Sequence, residues 1–296
     1  MPSSSTGTIG AIASKELRAY LGNPTGYVFL TLFIVASAAA AFLTDTFFGR
    51  NLADLATLNK WMPAILMFFV PAVTMNLWAD ERRSGTDELL LTLPVRDTEV
   101  VLGKFFGALG VYTVGLLFSL ANVLVLVYLG EPDVGLMFAT YLGYWLMGAM
   151  FVAVGMVGSM FTGNTTVAFI LGALGCAALV FAGQAPWASG FIGVVMVGAI
   201  AGLAWNVIAG SGKGGGAAAA VAVGVALGLA LWLAPVQLRG TDVGEWFVGT
   251  FAALGAPAHF ESFGEGLVRL GDIAFFVGGA AVALYLCGIL ISRRHW

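Results

Sequence analysis

Residues 80–104 hold the densest chemistry in this 296-residue chain. Asp80, Glu81, Arg82, Arg83, Asp87, Glu88, Arg96, Asp97, Glu99 and Lys104 are ten of its 29 charged side chains, set between two long apolar runs. Such a group can make ion pairs and hydrogen bonds with a partner in water. Catalysis asks for more: paired carboxylates, a nucleophile beside a base, or clustered metal ligands. The sequence offers none of these. Its acids lie in the segments between apolar runs, and His259 and His295 fall on opposite sides of a membrane in the topology below. His259, next to Phe260 and with no second histidine nearby, reads as structural rather than as a ligand or proton carrier. Cys176 and Cys287 sit inside apolar runs and read as small buried hydrophobes.

The elements that must position the charged segment are dictated by composition. Hydrophobic residues make up 59% of the chain and charged ones 10%, with a mean hydropathy of +0.94. A soluble domain carries about 25% charged residues. The net charge of −3 provides no basic surface for nucleic acid. The polar first residues lack a cationic region followed by an early apolar one, so no cleavable signal peptide is expected. A bilayer-spanning helix needs about 20 apolar residues. Eight runs meet or approach that length: 27–44, 61–79, 105–129, 134–161, 165–183, 186–209, 216–236 and 273–291. None contains Asp, Glu, Lys or Arg. The runs 165–183 and 186–209 are separated only by Gln184 and Ala185, and together are too long for one span, so two helices are expected.

With the N-terminus inside, the inner segments carry nine Lys and Arg residues and the outer segments four. The positive-inside rule then places both termini and residues 80–104 in the cytoplasm. The pairs Gly103/Gly107, Gly198/Gly202 and Gly224/Gly228 have the spacing of close helix packing, read as generic packing rather than dimer contacts.

Ile9, Ile12, Ala13, Leu17, Tyr20 and Leu21 recur at helical spacing, with Ser14, Lys15, Glu16 and Arg18 on the other face. Residues 8–21 are therefore expected to form an amphipathic helix on the inner membrane surface, broken at Gly22-Asn23-Pro24. Residues 80–91 are expected to continue as helix. Pro94 marks a turn, and Asp97 or Thr98 is placed to cap the next helix. The result is a charged hairpin joined to the second and third spans. Outside, residues 237–272 mix Trp246, Phe247, Phe251, His259, Phe260, Phe263 and Leu267 with acids, as suits the bilayer interface.

Gly210-Ser211-Gly212-Lys213-Gly214 imitates a phosphate loop. Val207 stands where the first glycine should be, and Gly214 where a Ser or Thr should be. If ATP drives this chain, another polypeptide must bind it. Secondary transporters and channels place ionisable groups at mid-membrane. The spans here offer only Asn76, Asn122, Asn206, Ser and Thr, which argues against ion-coupled transport but leaves a passive lipid pathway as an alternative.

Lys15-Glu16-Leu17-Arg18 with Asn23-Pro24-Thr25-Gly26-Tyr27, and the stretch 78–94 followed by Lys104, resemble the permease subunit of type-2 ABC exporters. Within it, Glu-Arg-Arg-x-Gly-Thr-x-Glu-Leu-Leu-x-x-x-Pro is the most specific part. Ala258-His259-Phe260-Glu261-Ser262-Phe263-Gly264-Glu265-Gly266 and Asp272 are similar to the gliding-motility-associated and copper/nitrous-oxide-maturation branch. The resemblance covers about residues 10–183 and 250–296 and implies an all-α polytopic membrane protein, with six core spans plus an inserted pair over 184–236. Lys15, Glu16 and Arg18 would belong to the interface helix. Glu81, Arg82, Arg83, Gly85, Thr86, Glu88 and Leu89 would contact a separate ATP-binding subunit, which would hold ATP and Mg. This chain would be non-catalytic and bind no cofactor. A second permease copy or paralogue and an auxiliary extracytoplasmic subunit would complete a complex in the bacterial inner membrane. The substrate is not readable from the residues.

Overall fold

The computed structural model describes residues 5–42, 55–86, 95–130, 132–209, 214–233, 237–238 and 241–292. The described chain is helical except for a two-residue antiparallel ladder pairing Gln237 with Asp242 and Leu238 with Thr241. It divides into two compact units, one of Met1–Ala177 with His259–Trp296, the other of Ala178–Ala258.

In the first unit, α1 (Ser5–Leu21) is followed after a two-residue break by α2 (Pro24–Phe42). Helices α3 (Ala56–Thr74) and α4 (Asn76–Ser84) run almost end to end, since Met75 keeps helical dihedrals and donates its N–H to the Pro71 carbonyl. Next come α5 (Asp97–Ser119), α6 (Ala121–Leu129), α7 (Val134–Met160) and α8 (Thr165–Phe181). The chain closes with α12 (Ala256–Gly264) and α13 (Leu270–Ser292).

Among the described residues, five helical stretches are long and apolar enough to cross a membrane: Pro24–Phe42, Ala56–Ser84, Asp97–Leu129, Val134–Met160 and Leu270–Ser292. Three shorter apolar helices, Thr165–Phe181, Pro186–Gly202 and Ala218–Leu233, match the remaining runs. The chain is thus an all-α, multi-pass membrane protein. Apolar length alone locates these helices, because in lipid every backbone polar group must be satisfied within its own segment.

Helix α7 is as enclosed as the α3–α4 stretch and packs against α3, α5 and α13. Tyr112 of α5 donates to the Tyr144 carbonyl at 2.7 Å, and Gly148 makes room for its ring. The Tyr144 hydroxyl pairs with the side-chain oxygen of Asn59, and its ring stacks on Phe260. Phe33 of α2 stacks on Phe69 of α3, their centroids 4.3 Å apart.

The second unit is a tight pair, α9 (Pro186–Ala209) and α10 (Gly214–Leu233), carrying the short helix α11 (Val243–Ala252). Gly198, Gly224 and Gly228 let the pair approach to backbone contact; a Cβ at Gly228 would lie 2.9 Å from the Val194 Cα. Here the glycine spacing serves packing between these two helices. Asp242 caps α11 by accepting from the Gly244 N–H at 2.9 Å.

Two local expectations change. The helix expected over 80–91 is interrupted: Gly85 takes a left-handed conformation (φ 68°) and terminates α4 at Ser84. Glycine adopts that conformation without the penalty a Cβ would bring. Neither Asp97 nor Thr98 caps the next helix; extended Arg96 takes that position, and Asp97 and Glu99 put negative charge in the first turn, where the helix dipole favours it.

Candidate functional site: a buried lysine joining three helices

Helix α1 is held by its apolar stripe. Gly103, Gly107 and Gly110 open a smooth track along α5, and α1 lies in it. A Cβ at Gly103 would fall 2.7 Å from the Ile12 Cβ, one at Gly107 2.6 Å from the Glu16 Cβ, and one at Gly110 3.5 Å from the Leu17 side chain. This close seating brings Glu16 over Lys104.

Lys104 is 1% exposed, one turn into the apolar part of α5. Its ammonium donates to Glu81 Oε1 at 2.8 Å, Glu16 Oε1 at 3.3 Å and the Leu77 carbonyl at 2.6 Å. Those acceptors match the three protons of an ammonium group. The Trp78 ring lies beneath it, 4.7 Å from centroid to Nζ, adding a cation–π contact. Lys15 approaches the same Glu81 oxygen from the surface at 3.4 Å. Burial of such charges is tolerated only when they are paired and hydrogen-bonded. Together these contacts fasten α1, α4 and α5 to one another.

The remaining sequence-derived site residues separate into groups. Arg82 reaches α7 and donates from Nη1 to the Met160 carbonyl at 3.2 Å, where a helix C-terminus leaves carbonyls without intrahelical partners. Arg83 is exposed and pairs with Asp80 at 3.1 Å on its own helix. Gly85 and Thr86 are exposed, and Thr86 shares a 2.9 Å hydrogen bond with Ser84. Arg18 is exposed in the last turn of α1, where a cation complements the dipole. Glu88 and Leu89 lie outside the described residues. The structure therefore brings Lys15, Glu16 and Glu81 together around Lys104, and leaves Arg83, Gly85 and Thr86 on an exposed tip. In the sequence, Lys104 registers only as one more inner positive charge. A lysine followed directly by apolar Phe105 and Phe106 is the signal that marks its buried place.

His259 is equally well partnered. Its Nδ1 lies 2.8 Å from Asp272 Oδ1, the Ser262 hydroxyl donates to Asp272 Oδ2 at 2.6 Å, and the imidazole stacks on Phe275 with centroids 3.9 Å apart. Asp272 bridges the other two, and the trio holds α12 against α13. The connecting turn is closed by Gly266 (φ 81°), with the Leu267 N–H bonded to the Ser262 carbonyl at 2.8 Å. Replacing Asp272 with alanine removes the shared acceptor and is expected to cost about 1–3 kcal/mol, read as a lowered unfolding midpoint in detergent. An unchanged midpoint would mean the trio does not stabilise this turn. No group of three or more His, Cys, Asp or Glu suited to a metal occurs among the described residues.

The described residues thus form a multi-pass helical protein with a charged helix tip extending from one of its spans. Residues 28–197 match the family model described as "ABC-2 family transporter protein", and the chain belongs to that family. It is a membrane permease of the ABC type, and membership implies an ATP-binding partner subunit. Comparison with curated proteins finds no match.

Proposed function

We propose that this chain is the non-catalytic, membrane-spanning half of an ATP-driven exporter, and that the tip of α4 receives the stroke of a separate ATP-binding subunit on the cytoplasmic side. The observation that carries this reading is the buried Lys104 cluster. It ties the tip of α4 to the surface helix α1 and to the span α5, so a displacement at the tip is shared by three helices. Arg83, Gly85 and Thr86 form the exposed contact, with Glu88 and Leu89 continuing it. Glu81 supports that contact from within through Lys104. ATP and Mg belong to the partner.

Two permease copies and an auxiliary extracytoplasmic subunit, in a bacterial inner membrane, complete the proposed assembly. The segment 184–236 is proposed as an insertion into a six-span core. Placement in the gliding-motility-associated and copper/nitrous-oxide-maturation branch rests on the sequence of residues 78–94 and 258–266.

Arg83→Glu tests the docking surface. The Arg83–Asp80 pair is exposed, and such pairs contribute about 0–1 kcal/mol, so the fold should survive. Recovery of the ATP-binding subunit on the purified permease is expected to fall roughly tenfold, corresponding to about 1.4 kcal/mol. Unchanged recovery together with unchanged transport-coupled ATPase activity would remove Arg83 from the interface. The permease alone, reconstituted in nanodiscs, is expected to hydrolyse no ATP.

A further inference from the structure

Two cavities of contrasting character meet in the first unit. One, of about 250 Å³, lies among α1, the start of α2, the α3–α4 junction and α5; Glu16, Tyr20, Asn76, Asp80 and Glu81 supply its polar wall. The other, of about 430 Å³, is an apolar groove lined by Leu32, Phe33, Ile65, Phe68 and Phe69. Phe29 and Ala72 belong to both, so the polar cavity and the apolar groove adjoin. We propose that they form one binding site for a membrane lipid with a primary-ammonium, ethanolamine-type headgroup, the headgroup held among Glu16, Asp80 and Glu81 and an acyl chain lying between α2 and α3.

The membrane location of α2 and α3 makes an acyl chain the occupant suited to the groove. The headgroup chemistry follows from the unpartnered oxygens of the polar wall. The three carboxylates of the polar wall already have cations, Glu16 and Glu81 sharing Lys104 and the largely exposed Lys15, and Asp80 pairing with Arg83, so a ligand is selected by the oxygens these cations leave unbonded. Lys104 and Lys15 both approach Oε1 of Glu81, whereas its Oε2 is buried with no partner. A buried carboxylate oxygen is costly without a donor, and an ammonium group brings three. The Tyr20 hydroxyl is likewise buried without a partner, and burial raises its pKa, so it stays protonated and can donate to a lipid phosphate. A trimethylated headgroup has no N–H to give, and an anionic headgroup brings no ammonium to the unpartnered Glu81 oxygen. This site depends on the membrane placement of the chain and not on the docking role of α4.

The test uses the full chain purified from mixed vesicles containing equal phosphatidylethanolamine, phosphatidylcholine and phosphatidylglycerol, with retained lipid quantified by native mass spectrometry. Phosphatidylethanolamine is expected to be retained about tenfold over phosphatidylcholine, and more weakly by Tyr20→Phe. Ala64→Phe, which narrows the half-buried groove wall, is expected to reduce retention of every lipid. Equal retention of the three by the wild-type protein, or preference for phosphatidylglycerol, would overturn the proposal whatever the variants do. Full retention by a folded Ala64→Phe protein would overturn the place of the chain. Loss of ATP-binding-subunit recovery leaves these outcomes unaffected, so failure of the two readings is separable.

Discussion

Lys104→Met is expected to unfold much of the stability of this protein and to abolish coupling. The methionine keeps the volume and the apolar stem, so little packing is lost. What disappears is the charge that neutralises Glu81 and Glu16, both of whose side chains are about 15% exposed. Breaking a buried pair by removing one member typically costs about 3–5 kcal/mol, and the largely exposed Lys15, 3.4 Å from Glu81 and 3.8 Å from Glu16, offsets only part of that. The Leu77 carbonyl also loses its donor. A drop of that size should appear as a much lower unfolding midpoint in detergent or nanodiscs. The triple variant Lys104→Met, Glu81→Gln, Glu16→Gln removes the stranded charges and is expected to recover most of the midpoint. Its partner-stimulated transport should remain low, because α1 is no longer fastened to α4. If the single variant melts normally, the cluster is not the fastening described here. If the triple variant transports normally, the coupling role falls while the structural one stands.

The second large effect is expected at Gly107. Leucine there would place its Cβ 2.6 Å from the Glu16 Cβ and 3.1 Å from the Ala13 carbonyl oxygen. Neither neighbour is the far end of a flexible chain, so α1 must lift from α5. The Gly103 position has the same constraint against Ile12, 2.7 Å away, and alanine already violates it. Lifting α1 carries Glu16 away from Lys104 and opens the polar cavity. Overpacking costs about 1–3 kcal/mol on its own, and loss of the Glu16 contact adds to that. We expect Gly107→Leu to leave the spans inserted, to expose α1 to limited proteolysis after Lys15 and Arg18, and to reduce partner-stimulated transport at least tenfold. Wild-type protease resistance of α1 would refute the close seating.

Much of the fold is legible because hydrophobic length is a one-dimensional signal. Each of the eight apolar runs matches a helix of the structure, and the break at Gly22-Asn23-Pro24 falls between α1 and α2. The site is less legible because its partners are distant in sequence. Glu16, Glu81 and Lys104 carry no shared spacing; only the seating of α1 on a glycine track, and the near-continuous α3–α4 helix, bring them to one point. The glycine spacing at 103 and 107 signals a packed neighbour without naming α1. His259 looked solitary because its partner is a carboxylate thirteen residues later, on another helix. Gly85 is flanked by Ser84, Thr86 and Asp87, whose helix propensity is modest, so its left-handed turn has little to overcome.

The near-continuity of α3 and α4 gives the tip mechanical leverage. Pro71 supplies no backbone N–H to the helix, which makes it the natural fulcrum of this rod. From there to Ser84 the rod extends about 20 Å at 1.5 Å per residue. A tilt of about 10° at such a fulcrum sweeps the far end through about 3 Å, on the scale of a helix shifting against its neighbour. Glu81 lies within a turn of that end, so about three-quarters of the sweep would reach the lysine beneath it. On the proposed coupling, such a push would slide the buried stretch from Ala72 to Ala79 against α7 and drag the surface helix along with it.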